Sequence, residues 1–486
     1  MILLNSKQSE NKAHNEMELI CMDLLVPQDH LLRLIDKHVD FSFIREKVRP
    51  YYSETKGRPA LDPVVLFKMM LIGYLYGIRS ERQLEQEIIP NAAYRWFLGL
   101  RFSDRVPDHS TISWNRNNRF KDTNLFQEIF DEMVHLAINH KMVDGRLLVT
   151  DSTHIRANAN NNRYTMQVLE ETPHDYLKEL EKAINEDRES HGKKPLPPRK
   201  PSGEEKPRKV SQTDPECGLM KRSGKPEAFC YLDHRTVDHK YNIITDVHVT
   251  PGHVNDAAVY VERLKRQIQT FAFQSTLEAV ALDSGYMTPY ICDQTLKLEI
   301  AAAIAERNAP TPPDIFPKKQ FIYHAEENGY LCPAGKMLMY TTTNRQGYRE
   351  YTSNAQECAN CPLLNQCTKS ANHQRKIERH IWEESKEKVA QYRKTHSGEA
   401  AYKLRPQTIE RSFADAKELH GYRRCKFRGR AKTQEQAFMT AIAQNVKKIA
   451  RYLAQKVGRG QKQKTPPVLL TKLRNFSKPL ALNSAA

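Results

Sequence analysis

The 486-residue chain holds no run of uncharged apolar residues approaching the roughly 18 that a membrane-spanning helix needs, which excludes a helical membrane protein. Its opening, MILLNSKQSENKAHNEMELICMDLL, lacks a basic stretch, a continuous apolar core and a small-residue cleavage site, so no secretory signal is expected. Cysteine is sparse and odd in number, nine with four of them clustered, which suits a reduced compartment and not a disulfide framework. There is no repeat of fixed period. GLMKRSGKP comes nearest to a phosphate loop, but five residues separate its glycines instead of four and Pro follows Lys225, which leaves a nucleotide-driven motor without support. No Ser-His-Asp or Cys-His arrangement has a recognisable local context. What remains is a soluble cytoplasmic protein with no membrane partner, roughly three domains long.

Charge narrows the field. Lys and Arg number 75 against 58 acids, a formal charge of +17. Residues 421–486 contain sixteen Lys and Arg and the single acid Glu435, so nearly all the excess lies in that segment. Such a local footprint points to a polyanion, and nucleic acid leads.

Along the chain, 1–23 reads as a flexible start and 24–140 as a helical domain. Asp62-Pro63 is a helix start, Ser80 and Gln83 have capping-box spacing, and Asp108–Thr111 opens a basic helical stretch, TISWNRNNRF. Arg116 and Arg119 in that stretch are the candidate readers of DNA, in the manner of a helix-turn-helix. From 141 to 303 the pattern is mixed α/β: strands in RLLVTDST, YLDHRTVD, KYNIITDVHVT, LEAVALDSGY and LEIAAAIAER, with a helix in VNDAAVYVERLKRQI. A proline-rich stretch at about 186–211 reads as a disordered insertion. Residues 304–395 break the pattern with Pro, Tyr and Cys, 396–457 return to helix, and 458–486 form a basic tail.

Two strands end in an isolated acid, Asp151 and Asp283, where an open α/β sheet collects its site. Glu410 follows on a helical run, with Lys417 two turns further along the same face. Three carboxylates from separate elements can hold two Mg²⁺ (or Mn²⁺) ions about 4 Å apart across a phosphodiester. Asp246, inside IITDVHV, is the main rival to Asp283.

The ordered set LLVPQDHLL, YSETKGRPALDPVVLFKMMLIGYLYGIRSERQLE, YRWFLGL, PDHSTIS, DSTHIRANAN, TDVHVTPGHVNDA, LDSGY and IERSFADAK resembles the DDE transposases of bacterial insertion sequences, over about 23–450. The resemblance implies an RNase H-like catalytic core behind an N-terminal helical DNA-binding domain, with a cysteine-containing insertion before the catalytic glutamate. It implies Asp151, Asp283 and Glu410 as the triad, Lys417 on phosphate, and Arg405 as helper. The related motif is Y-x2-R-x3-E-x6-K; here Tyr402, Arg405, Glu410 and Lys417 give Y-x2-R-x4-E-x6-K. The extra residue sets Arg405 apart from that pattern. The implied activity is metal-dependent strand cleavage at the element's ends and transfer of the released 3′-OH into target DNA. The partners would be terminal inverted repeats, target duplex and, on DNA ends, further copies of the chain, with the protein on the nucleoid when bound. The alternatives are an RNase H-like nuclease without strand transfer and a transposase-derived DNA-binding protein without catalysis.

Cys332, Cys358, Cys361 and Cys367 fall as C-x25-C-x2-C-x5-C, half of which resembles a structural Zn²⁺ site. Unligated thiols and an iron–sulfur cluster are the other readings, and His373 and His380 are spare ligand candidates. Arg423, Arg424, Lys426, Arg428, Arg430 and Lys432 follow the proposed catalytic helix with no acid between them, as a phosphate grip would.

Overall fold

A computed structural model describes residues 21–53, 55, 60–168, 175–198, 207–221, 224, 226–306 and 314–458. The chain divides into two compact units, one from residues up to 129 together with a segment starting at Val446, the other spanning Phe130–Asn445. Among the described residues, no helix is long and apolar enough to cross a membrane.

The first unit is helical. Its centre is α1 (Pro63–Leu75), apolar on almost every face and therefore buried all round. Asp62 caps it by accepting the N–H of Val64, and Pro63 occupies the first turn. Helix α2 (Glu81–Ile88) is capped by Ser80, whose hydroxyl accepts from Gln83 N. Helix α3 (His109–Trp114) starts at Asp108, packs on α2, and runs on into a π turn, Asn115–Arg119, closed by Phe120 N–H donating to Asn115 O at 2.9 Å. All three starts coincide with those read from the sequence.

The second unit is built on a mixed sheet. Strand β1 (Leu147–Arg156) lies at its centre; β2 (Ala228–Asp238) pairs with it antiparallel, and β3 (Ile243–Pro251) pairs antiparallel with β2. On the other side β4 (Ala279–Leu282) runs parallel to β1, and β5 (Ala301–Ile304) parallel to β4. Parallel neighbours require crossovers, which α4 (Ala257–Phe271) and α5 (Pro289–Lys297) supply. All eleven residues of β2 are buried, so this strand is covered on both faces. The outer edge of β3 is closed by side chains: Asn445 exchanges two hydrogen bonds with the backbone of Ile244, and Gln434 accepts from Val249 N.

Between β5 and the last helices stands a separate five-stranded antiparallel meander: β6 (Ile322–His324), β7 (Gly329–Leu331), β8 (Met337–Thr343), β9 (Tyr348–Thr352) and β10 (Lys376–His380). It has its own core of Phe321, Tyr330, Leu338, Tyr351 and Ile377. The following helix, α6 (Glu383–Lys394), packs on β5 and α5, so the meander ends before it and residues 383–394 belong with the main sheet. The stretch read as a disordered insertion is also structured where it is described. Helix Asp175–Ser190 carries buried Asp187, which accepts from Thr343 Oγ1 (2.6 Å) and pairs with Arg349. At the other end, Arg208–Ser211 forms a strand with Tyr164–Gln167, while 199–206 lie outside the described residues. The helix ends before the first proline of the stretch, Pro195, and its buried ion pair ties it to a distant strand.

Candidate active site

The parallel pairing of β1 and β4 runs from Leu147↔Ala279 to Thr150↔Leu282 and stops there. Asp151 and Asp283 are the next residues on the two strands. β1 itself continues to Arg156 without β4, still paired with β2 and bridged at its last residue to Arg424, so Asp151 lies within the strand, at the point where its parallel neighbour leaves. The two carboxylates meet at one guanidinium: Arg405 donates to Asp151 Oδ2 at 2.5 Å and to Asp283 Oδ1 at 3.4 Å. Arg405 is only 5% exposed and stacks on Tyr402. Burial pushes the Asp151 carboxyl up to about 6, Arg405 works against that rise, and Asp283 and Asp256 add to it. Tyr286, from the same Asp-Ser-Gly-Tyr segment as Asp283, is fully buried against Tyr260, and its hydroxyl is without a hydrogen-bond partner among the described residues. Its pKa is raised by burial first, then by Asp256 and Asp151.

The extra residue in the Tyr-Arg-Glu-Lys spacing has a structural expression. Pro406–Glu410 is a π turn, with Glu410 N–H donating to Arg405 O five residues back. A π turn is how a helix absorbs one added residue, and such turns occur often at functional sites. Helix α7 (Arg411–Leu419) then continues, and Lys417 Nζ donates to Thr153 Oγ1 at 2.5 Å. Thr153 lies two residues after Asp151, on the same face of β1. That face also carries Arg235, directly opposite Asp151, and Asp233, opposite Thr153. Arg235 is wholly buried, pairs with Asp233 at 2.7 Å, donates to Ser412 and Gln444, and lies over the rings of Phe413 and Tyr422. This network fixes α7 on the sheet, and nothing local in the sequence announces it.

Glu410 is exposed. Among the described residues, sets of three or more ligand atoms lie within 4.8 Å of one another at Glu85–Asp108–His109 and Asp144–Asp238–His239, and not at Asp151–Asp283–Glu410. The donor chemistry of Asp151 and Asp283, two hard carboxylates already converging on one cation, fits a divalent ion; the third ligand is not gathered. The rival Asp246 is committed elsewhere, paired with Arg263 and Arg266 of α4.

The four clustered cysteines are free thiols lining one cavity of about 200 Å³ with Phe316 and Pro333. Burial raises the Cys367 thiol pKa, and the other three thiols add to the rise. No three of their sulfurs fall within 4.8 Å among the described residues, wider than the roughly 3.8 Å edge implied by Zn–S bonds of about 2.3 Å in a tetrahedron. His380 does not line that cavity; its ring meets Tyr348 edge-on and Trp382 at a tilt.

Of the basic run, Arg423, Arg424, Arg428 and Arg430 are exposed, while Lys426 and Lys432 are half-buried. The run lies along the far end of β1: Arg156 N–H donates to Arg423 O, Cys425 N–H donates to Arg156 O, and Arg428 reaches Asn158 O. Acids from outside the run reach it, Glu418 just before it pairing with Arg423 and the distant Glu216 accepting from Arg430 N. In the first unit Arg116 is buried and paired with Glu81, and Arg119 is stacked between Tyr52 and Trp114 while bonding Asn115. The Arg116 guanidinium is thus withdrawn from the surface, whereas Arg119 is half-buried.

A family model described as "Transposase domain (DUF772)" matches residues 20–118, and one described as "Transposase DDE domain" matches 331–450, the span that includes Arg405, Glu410 and Lys417. The chain carries two transposase domains, the second of them a DDE domain. Its function is DNA transposition, by cleaving and transferring DNA strands. No curated relative matches the transposase sequence. A solved structure titled "Cryo-EM structure of piggyBac transposase synaptic complex with hairpin DNA (SNHP)" aligns with 94% of the transposase chain and 86% of its own at 10% identity, with a TM-score of 0.31, too low to carry an argument.

Proposed function

We propose that this transposase performs both cleavage and strand transfer at the mouth between β1 and β4, with Asp151, Asp283 and Glu410 as its three carboxylates. The observation that carries the reading is the meeting of Asp151 and Asp283 at Arg405, one π turn before Glu410. An RNase H-like core is supported by the strand order β3-β2-β1-β4-β5, antiparallel over the first three and parallel over the last three, with Gly218–Met220 as a short further strand on β2. Asp151, Asp283 and Glu410 would hold Mg²⁺ or Mn²⁺, and such ions would supply positive charge to the reacting phosphodiester. Arg405 keeps the two carboxylates convergent and offsets their repulsion. Lys417, beside Thr153, is within the same face to contact the scissile phosphate. The exposed arginines at 423–430 hold flanking phosphates of terminal repeats and target duplex, and assembly on DNA ends brings further copies together. The soft donors around the 332–367 cavity suit structural zinc if the thiols close on it.

The test is a Mg²⁺-dependent cleavage and strand-transfer assay on DNA bearing the element's ends. Asp151→Asn, Asp283→Asn and Glu410→Gln should each lose both activities and keep duplex binding. Asp246→Asn should lower stability through its lost arginine pairs and leave the specific activity of folded protein intact. Wild-type cleavage by Asp283→Asn would overturn the assignment.

A further inference from the structure

The helical segment from α3 through the π turn has a buried side and an exposed side of different chemistry. Ile112, Asn115 and Arg116 are buried. Ser110, Ser113, Trp114, Asn117 and Asn118 recur at helical spacing along the other side and are exposed or half-buried, Trp114 at 54%. They line an open hollow of about 550 Å³ together with Thr111 and Asn115. Every one of these side chains carries a hydrogen-bonding group and none carries charge.

The segment is also held rigid. Arg116 locks it to Glu81 of α2, Glu85 of α2 accepts from both N and Nδ1 of His109, and Arg119 props the Trp114 ring from one side. The amide nitrogens of Asn117 and Asn118 bond back to Ser113 O and Trp114 O, at 2.8 and 2.9 Å, and their amide oxygens have no partner among the described residues. The acid that precedes the segment, Asp108, is turned onto Ser110 N as the helix cap. Arg79 and Arg82, at the start of α2, are exposed. A neutral, acid-free, amide-bearing face with cations on the partner helix suits a duplex whose backbone is negative and whose base edges offer donors and acceptors.

We propose that the Ser110–Ser113–Trp114–Asn117–Asn118 face reads base edges in the major groove of duplex DNA, while Arg79 and Arg82 take the adjoining phosphates. This rests on the transposase reading and names where its sequence preference resides. The amide oxygens of Asn118 and Asn117 accept from the exocyclic N6 amine of adenine, and after rotation the amide nitrogens also donate to N7 of the same base, while Trp114 supplies apolar contact to a thymine methyl. Arg116 and Arg119, the basic residues of the segment, stiffen the reader and do not read.

The experiment enriches a randomised duplex library on the full-length protein, then measures affinity for the enriched duplex and its scrambled version across a salt series. For Asn117→Ala/Asn118→Ala the ratio of the two affinities should fall about tenfold or more, with the slope of log K against log salt unchanged. Arg79→Gln/Arg82→Gln should weaken both duplexes alike and lower the slope by up to roughly 2, at about 0.9 per phosphate. Asn118→Asp, isosteric at an exposed position, guards against misfolding of the double variant and should lose the enriched duplex more steeply than the scrambled one. An unchanged ratio in the Asn variants, or no duplex enriched by the wild type, overturns the proposal. Metal-dependent cleavage is measured on the same preparations: its presence with an unchanged ratio sinks only the reader, whereas its absence in the wild type sinks the transposase reading.

Discussion

Strand β1 has one pair of acids just before it and another at its middle, and the two pairs are compensated differently. Before its first residue, Asp144 faces Asp238 from the end of β2, with His239 Nδ1 3.9 Å from Asp144. Asp238 is fully buried, and its oxygens accept Gly145 N and Lys240 N at 2.9 Å each. Burial and then Asp144 push its pKa up to about 7. Gly145 adopts φ +64, and any side chain there would run into the Phe273 ring, so this donor is built into the turn. At the middle, Asp151 has one backbone donor, Ser152 N, and otherwise shares the Arg405 side chain with Asp283. Backbone donors cannot leave; a guanidinium can move aside for another cation. The acid pair suited to chemistry is therefore the one with the exchangeable partner, although the other is more deeply buried and more strongly shifted.

The largest effect should come from exchanging carboxylate for amide in each pair. Asp151→Asn should cut cleavage by more than about a hundredfold, the scale of losing a group that stabilises transition-state charge, with little change in melting temperature. Asp238→Asn should do the reverse. An amide cannot accept at both positions, so a buried backbone N–H is left facing a donor, at a cost of about 1–3 kcal/mol. Cleavage per folded molecule should remain. Thermal unfolding and single-turnover cleavage on both variants check this, and a silent Asp151→Asn or an inactive but stable Asp238→Asn would break the contrast.

Removing the exchangeable partner sharpens it further. Without Arg405 the influence that lowers the Asp151 pKa is gone, so in Arg405→Ala that pKa should rise above about 6. The acidic limb of the cleavage profile should move to higher pH, because the carboxylate must be ionised to hold a cation. Stability has a definite sign. A carboxyl with a raised folded-state pKa binds more protons folded than unfolded, so its contribution is most favourable below the ordinary value of 3.8 and is lost as pH rises through the folded pKa. Metal-free Arg405→Ala should thus lose stability over a window reaching higher pH than wild type. Added Mn²⁺ should raise its melting temperature more than it raises the wild type's. An unmoved acidic limb would mean that Arg405 does not control Asp151.

How much of this was legible depended on whether the cause was local. The caps at Asp62, Ser80 and Asp108 and the core strands were readable because one or two adjacent residues determine each. Asp151 and Asp283 were readable as acids on strands, though their meeting at Arg405 needed the β1–β4 pairing. Arg116 looked like a DNA contact because its partner, Glu81, lies 35 residues earlier. The helix at 175–190 was hidden because Asp187 finds Arg349 only 162 residues later. The added residue between Arg405 and Glu410 looked like a departure from the motif; as a π turn it is a local winding, which the 3.6-residue period cannot display.

A lesser effect is expected from the phosphate grip. Changing exposed Arg423, Arg424, Arg428 and Arg430 to Gln should lower the slope of log K against log salt by up to roughly 3–4, on terminal and random duplexes alike. A drop near 1 would mean that Glu418 and its neighbours keep most of these charges from DNA.

The smallest effect should come from Thr153→Val. Thr153 offers Lys417 a hydroxyl acceptor two residues after Asp151, and valine preserves its shape and strand preference. If Lys417 acts on phosphate, Thr153 only parks the ammonium between encounters. Losing one such hydrogen bond is worth about 1 kcal/mol, roughly fivefold, and should appear in KM for DNA with kcat nearly unchanged. Lys417→Ala should cost more, in kcat as well, because the charge itself is gone. Steady-state cleavage with both variants separates the two roles. A hundredfold fall in kcat for Thr153→Val would place its hydroxyl among the reacting groups and move the boundary of the site one strand position beyond Asp151.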